Sequence, residues 1–319
     1  MRSFFLQVAV AIACAAAGPA PAADDELVGR FFPYGKFETL PATRIDVGGG
    51  TLTVAFAPGP LELSHETILD WVTRSVRAVA QYFGRLPDPH ARLLIVPIEG
   101  IGVRGGTTFG YRGAATRILL GREATTRNLE RDWVLVHELV HHAMPNLADE
   151  HHWMEEGLAT YVEPIARAQA GELTAQTVWG DLVEGLPKGL PRENDRGLDR
   201  TPTWGRTYWG GALFYLLADI DIRRRTDNKS GLQDALRALV AAGGNISESW
   251  PVERVIEAAD RGTHTHALAD LYDRMKETPV AVDLPALWRE LGVAVADGRV
   301  TFDDGAPLAA VRRAITAPR

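Results

Sequence analysis

Apolar residues recur at helical spacing from His65 to Phe83: Ile68, Leu69, Val72, Val76, Val79 and Phe83 share one face, and Gly84 stands as a stop. Upstream, Thr51 to Phe56 alternates like a strand after a Gly48-Gly49-Gly50 turn. Residues 24 to 42, with Pro33, Pro41 and several aromatics, read as irregular. Arg92 to Ile98 and Thr116 to Leu120 are short β-rich runs. Two helices follow, around His137 and His152, the first ended by Pro145 and the second bent or ended by Pro164. Residues 185 to 205, rich in Gly, Pro and charge, read as a long loop, the kind that forms lids or substrate borders. Helices are expected near 206–226, 231–242, 250–260 and 264–276, and Leu291 to Phe302 reads as a hairpin turning at Asp297-Gly298. There is no internal repeat. The pattern predicts an α+β chain: a small α/β lobe over 24–130, a mostly helical lobe over 131–280 and a C-terminal extension over 281–319.

The chemistry concentrates in the helical lobe. Five of the nine histidines fall between His137 and His152. In His137-Glu138-Leu139-Val140-His141 the two imidazoles are four residues apart, so on a helix they lie on one face and can close on one ion. Such a motif arises by chance in about one chain in a hundred of this length. Here its flanks, Trp133 to Val136 and Leu139-Val140, are apolar, which buries the helix, and buried imidazoles need partners. Fourteen residues after His141 the second helix brings Glu155-Glu156-Gly157. Adjacent carboxylates point about 100° apart on a helix, so only one of them faces the ion. Two His and one carboxylate with an open fourth position is the ligand set of catalytic zinc, which lowers the pKa of bound water to about 7. Glu138, beside the ligands, is placed to take the water proton. The glycine at 157 lets two helices approach closely.

These residues resemble the gluzincin peptidases, in which the third ligand is the Glu before Gly in a Glu-Gly-x-Ala-x-Tyr run. Here that run is Glu156-Gly157-Leu158-Ala159-Thr160-Tyr161. The resemblance implies a thermolysin-like zincin unit holding one Zn2+ on His137, His141 and Glu156. It makes Glu155 a solvated or outer carboxylate, with Thr160 one turn on as a residue that could orient a ligand. Thr207-Tyr208-Trp209-Gly210-Gly211-Ala212 is similar to the segment whose Tyr stabilises the tetrahedral intermediate. That implies Tyr208 as oxyanion donor, set against the plain reading of Tyr208, Trp209, Phe214 and Tyr215 as an aromatic core. The continuation Leu216 to Ala235 and the tail Ala306 to Ile315 resemble the glycyl-aminopeptidase family, with no room for a PDZ domain. His142, His151 and His152 are not assigned as ligands.

Related aminopeptidases carry a Gly-rich strand with a Glu that holds the substrate's amino group. Gly102 to Tyr111 keeps the glycines and offers no carboxylate. Gly105, Gly106 and Thr107 are candidates for pairing with an extended peptide as an added strand. A flexible hairpin loop is the alternative reading of the same stretch.

The remaining features set the context. Arg2, the apolar run Phe4 to Ala17 and Ala20-Pro21-Ala22-Ala23 read as an export signal over residues 1–23, placing the protein in the periplasm or outside the cell. Cys14 is the only cysteine, so no disulfide is expected, and lipid anchoring through it is the lesser alternative. No other segment approaches a membrane span. The net charge of −7 gives no basic face for nucleic acid, and Arg223-Arg224-Arg225 reads as a solvated helix end. Taken together, the residues point to an exported zinc peptidase acting on peptides or proteins, with exo- or endo-cutting unresolved. A catalytically silent peptide- or partner-binding protein on the same scaffold and a non-peptide hydrolase are the rivals.

Overall fold

A computed structural model describes residues 25–318; the export-signal segment and Cys14 lie outside the described residues. Five strands form one sheet in the order β1-β2-β3-β5-β4. They are β1 (Ala42–Val47), β2 (Gly50–Phe56), β3 (His90–Ile98), β4 (Val103–Phe109) and β5 (Ala115–Gly121). β2, β3 and β5 run parallel, and β1 and β4 are antiparallel to their neighbours. The hairpin joining β1 to β2 turns at Gly48 and Gly49, both at positive φ. β1 was not expected from the alternation pattern, because its side chains are mostly exposed and carry no apolar periodicity.

Strand alternation divides the sheet between two cores. Leu52, Val54, Leu93, Ile95, Ile118 and Leu120 face the main core. Ala55, Ala57, Leu94, Val96 and Ala115 face a second one, closed by Leu27, Phe32, Tyr34 and Phe37. The stretch read as irregular is therefore a cover for the outer sheet face. Two short helices, Asp25–Val28 and Tyr34–Phe37, lie in it, and buried Arg117 holds it through the carbonyls of Leu27 and Gly29. Each large apolar side chain so buried stabilises by about 1.5–3 kcal/mol.

Helix α1 (His65–Phe83) lays its apolar face on the main core; Ser64 caps it, accepting from the Thr67 amide, and Gly84 ends it at φ 75. The metal-motif helices are α2 (Val134–Val140) and α3 (His152–Gln169). α3 continues through Pro164 and does not end there. Proline removes one donor, and the burial of most of α3 outweighs that loss. α4 (Ala175–Gly185) occupies a stretch with no predicted element. The segment after it borders the cavity through Lys188 and Trp204 and is tied down by polar contacts. Leu186–Gly189 forms a tight turn, Arg206 pairs with Asp195 at 2.8 Å, and Asp199 accepts from Trp153 Nε1 at 2.7 Å.

Helix α5 (Gly211–Arg225) is preceded by one wide π-turn over Arg206–Gly210. Arg223, read as solvated, is buried, its Nε donating to Asp219 at 2.8 Å. That carboxylate also accepts from Tyr161 and from the Leu232 amide, so the pair is enclosed by polar partners. The remaining helices are α6 (Leu232–Ala241), α7 (Val252–Thr263), α8 (Ala267–Met275) and α9 (Leu284–Leu291). The hairpin β6 (Val293–Ala296) and β7 (Arg299–Phe302) turns at Asp297-Gly298 as expected, both at positive φ, and α10 (Ala309–Thr316) closes the chain. No described helix is long and apolar enough to cross a membrane.

Candidate metal centre

The first turn of α2 is capped from outside the helix. Asp132 accepts from the Val134 and Leu135 amides at 3.1 and 3.0 Å. His137 and Glu138 lie within the helix; His141 opens the tight turn that continues it, His141–Ala143. Ring centroids of His137 and His141 are 5.0 Å apart. From α3, Glu156 Oε2 comes within 3.2 Å of His137 Nε2 and 3.7 Å of His141 Nε2. One ligand atom from each of the three side chains lies within 4.8 Å of the other two, and all three residues are buried. Among the described residues no other such trio of His, Cys, Asp or Glu occurs.

The trio fits a divalent cation. His141 Nε2 and Glu156 Oε1 are buried without a hydrogen-bond partner. The ion-pair partners of Glu156 are imidazoles alone, those of His137, His141 and His152. Burial opposes charge on Glu156, yet His141 and then His137 hold its carboxyl down at about 2, so it is an ionised group in an apolar surround. A buried carboxylate whose Oε2 lies between two buried imidazoles, with His141 Nε2 left without a hydrogen-bond partner, is a donor set that one zinc ion on His137, His141 and Glu156 would satisfy.

Glu138 sits beside this trio, clamped by β4. A Cβ on Gly106 would stand 2.4 Å from Glu138 Cγ, so the bare glycine is what allows the carboxylate side chain to lie flat on the strand. Thr108 Oγ1 donates to Glu138 Oε2 at 2.7 Å. Behind it, Thr116 Oγ1 is 3.2 Å from Thr108 Oγ1 and 2.8 Å from His142 Nε2. Burial pushes Glu138 up to about 7, against the pull of His137 and the Thr108 hydroxyl. A carboxyl with that pKa can gain or lose a proton near neutrality.

Tyr208 approaches from the π-turn before α5, its ring stacked on His137 at 6.4 Å between centroids. Burial, then the Glu156 and Glu138 carboxylates, raises its pKa and keeps the phenol protonated. The approach depends on a helix crossing at two glycines: a Cβ on Gly157 would lie 2.4 Å from Gly211 Cα. A cavity of about 980 Å³ opens between His137, Tyr208, Trp133, Trp204 and Trp209. Trp133 and Trp204 are 45% and 62% exposed, which makes them an apolar rim in front of the trio.

Within the Gly102 to Tyr111 stretch, Val103–Phe109 forms strand β4, paired antiparallel with β5. β4 is the outermost strand of the sheet, and its outer edge pairs with no other strand among the described residues. A Cβ at Gly105 would meet nothing within 4 Å, so the backbone there is open, while the Thr107 hydroxyl turns back to the Gly106 carbonyl. Thr160 lines the cavity wall with Glu163. Glu155 faces away from the trio, accepting from the Leu147 amide at 3.0 Å and lying 3.2 Å from His152 Nδ1. Tyr215 is buried core with an unpartnered hydroxyl. His151 belongs to the Asp199 cluster. Thr108 and Thr116 escaped the sequence reading. They stand opposite each other on adjacent strands, and a hydroxyl pair of that kind leaves no local signature.

No family model and no curated protein sequence matches the chain. Solved structures do. An aminopeptidase N family protein from Idiomarina loihiensis aligns with a TM-score of 0.61 at 16% identity, covering 81% of this chain and 50% of that one. The fold is that of M1-type zinc metallopeptidases. The M1 zinc metallopeptidase of Deinococcus radiodurans aligns at 0.50 and 18% identity over 77% of this chain and 53% of its own. A mutant of that enzyme bound to a Tyr-Ser-Ala substrate aligns at 0.51, also 18% identical, over 77% and 54%. This chain thus spans about half the length of the metallopeptidase structures it matches.

Proposed function

We propose that this chain is an exported zinc-dependent peptidase. The observation that carries the peptidase reading is the convergence of His137, His141 and Glu156 behind an open cavity, with Glu138 on one side and Tyr208 on the other. Export rests on the residue pattern of the first 23 positions alone.

When bound, zinc supplies Lewis-acid activation of water and of the scissile carbonyl. Glu138 takes the water proton on its carboxylate and delivers it to the leaving amine. Thr108 and Gly106 hold that carboxylate still during the transfer. The Tyr208 phenol, kept protonated, donates a hydrogen bond to the oxyanion. The open edge of β4 at Gly105, Gly106 and Thr107 lets an extended peptide add as a strand, which fixes the scissile bond without side-chain contacts. The tripeptide bound by the Deinococcus radiodurans mutant supports a short peptide as the substrate class. β4 carries no carboxylate to hold a free amino terminus, so internal cutting is as well supported as trimming.

The test is cleavage of a mixed peptide library by the zinc-loaded chain, with Glu138→Gln as control and products identified by mass. The expected result is zinc-dependent cleavage that falls about 100-fold or more in the variant. Equal cleavage by Glu138→Gln would remove the base from the mechanism. Silence of the whole library with zinc in place would favour a binding protein or a hydrolase of other bonds.

A further inference from the structure

Two adjacent histidines, His141 and His142, close the motif, and the site uses only the first. His142 is fully buried, turned from the metal trio toward the sheet, with Nε2 2.8 Å from Thr116 Oγ1. Thr116 leads to Thr108 at 3.2 Å, and Thr108 to the Glu138 carboxylate at 2.7 Å. All four residues are buried. We infer that His142, Thr116 and Thr108 form a one-directional hydrogen-bond chain whose task is to hold the Glu138 carboxylate in its working orientation. The inference deepens the peptidase reading and rests on it for the role of Glu138.

Donor counting fixes the direction. Each threonine hydroxyl has one hydrogen to give. In the forward sense His142 Nε2–H donates to Thr116, Thr116 to Thr108, and Thr108 to Glu138. Each hydroxyl then accepts once; Thr116 gives its hydrogen to Thr108, and Thr108 shares its own between the Glu138 carboxylate at 2.7 Å and the Glu138 backbone carbonyl at 2.9 Å. The single unpartnered atom is His142 Nδ1, which is buried with no hydrogen-bond partner and in this tautomer is only a lone pair. In the reverse sense Thr108 would donate to Thr116 and Thr116 to His142. Thr108 would then give its hydrogen away from Glu138, and the ionised carboxylate would lose its donor. His142 Nδ1 would carry a buried hydrogen with no acceptor, a loss of about 1–3 kcal/mol. The forward chain is the arrangement that satisfies the donors present.

The neighbourhood is built to keep it. Thr108 and Thr116 are opposed in register across β4 and β5. The His142 carbonyl accepts from the Ile246 amide at 3.1 Å, which fixes the turn carrying the ring. Gly106 walls the other side of Glu138. The carboxylate therefore has a steric stop on one side and an oriented donor on the other. The two histidines divide their work: His141 serves the ion, and His142 serves the base.

The test uses the zinc-loaded full chain and four proteins: wild type, Thr108→Val, Thr108→Ser and Thr116→Val. Kinetics on a cleaved peptide, zinc content and a crystal structure of each are the readouts. Thr108→Val keeps the shape and removes the hydroxyl. It is expected to retain one zinc and to lose about 10- to 100-fold in kcat with KM within about threefold, its Glu138 carboxylate rotated from the wild-type position. Thr108→Ser restores the hydroxyl and is expected to return kcat to within about threefold of wild type; a packing role would rank the two variants in the opposite order. Thr116→Val is expected to lose about three- to tenfold, since the remaining bond is unsupported. Wild-type kcat with an unmoved Glu138 in Thr108→Val, or Thr108→Ser as impaired as Thr108→Val, overturns the inference. So does a Thr116→Val protein indistinguishable from wild type, because it severs His142 from the base. If the wild type binds zinc and cleaves nothing, the peptidase reading fails separately. The orientation of Glu138 in the variant crystals still decides the chain.

Discussion

Gly157 of α3 and Gly211 of α5 touch backbone to backbone: a Cβ on Gly211 would stand 2.7 Å from Gly157 Cα and 2.3 Å from the Trp153 carbonyl. The contact brings together the helix that supplies Glu156 and the turn that supplies Tyr208. Neither glycine has a positive φ, so the need is for space and not for backbone freedom. Gly211→Ala should push the helices apart and destabilise the fold by about 1–3 kcal/mol, read as a lower melting temperature. It should also weaken zinc binding by displacing Glu156, measured by titration of the metal-free protein. A variant with wild-type stability and zinc affinity would show that the crossing can relax without disturbing the site.

Tyr208 separates substrate binding from catalysis. Its hydroxyl is argued to meet charge that exists only during reaction, so Tyr208→Phe should lower kcat about 100-fold and leave KM nearly unchanged. Tyr215→Phe removes a hydroxyl that is buried without a partner and should change neither constant by more than about threefold. Steady-state kinetics of the two variants on one peptide checks the assignment. Equal effects would mean that the aromatic cluster acts as packing.

The metal trio was legible in the chain because helical periodicity turns spacing into geometry. His137 and His141 are four apart, and Glu156 precedes a glycine that the helix crossing requires. Strand β2 was legible from its alternation, and β3 and β5 from their short β-rich runs. β1 was not, because only Ile45 and Val47 of its six residues pack toward the core. Nor was the cover formed by Phe32, Tyr34 and Phe37, whose role depends on a sheet face that local pattern does not reveal. That α3 does not end at Pro164 was hidden for the same reason: a breaker is read locally, and the burial that carries the helix past it is tertiary. The Thr108–Thr116–His142 path needed strand register, which exists only after folding.

Removing the metal should cost stability as well as activity. The trio leaves Glu156 ionised and buried with imidazoles as its only ion-pair partners, and a ligand that binds the folded state alone stabilises it by mass action. With free zinc at about 100 times its dissociation constant the gain is about 2.7 kcal/mol. Dialysis against a chelator should lower the melting temperature, and stoichiometric zinc should restore it. His141→Ala should show the lower value with or without zinc. A chelator-treated wild type that melts unchanged would argue against a tight site.

Asp132 gives the fold a pH dependence that can be isolated. Burial pushes its carboxyl up to about 6, against the Leu135 and Val134 amides it caps. In the unfolded chain it titrates near the ordinary value of about 3.9. A raised folded pKa means the folded state binds the proton more tightly. Its stabilising contribution is thus complete below pH of about 4 and is lost as pH rises through about 6. The loss is on the order of 2 kcal/mol. Other carboxylates titrate in the same window, so the informative quantity is the difference between wild type and Asp132→Asn, which keeps an oxygen acceptor for the cap and cannot ionise. Urea unfolding of both from pH 4 to pH 7 should show the variant gaining on wild type as pH rises, with most of the change between pH 4 and 6.5. A flat difference would place Asp132 at an ordinary pKa, and a difference of opposite sign would mean that the ionised carboxylate, held by the α2 amides, is the stabilising form.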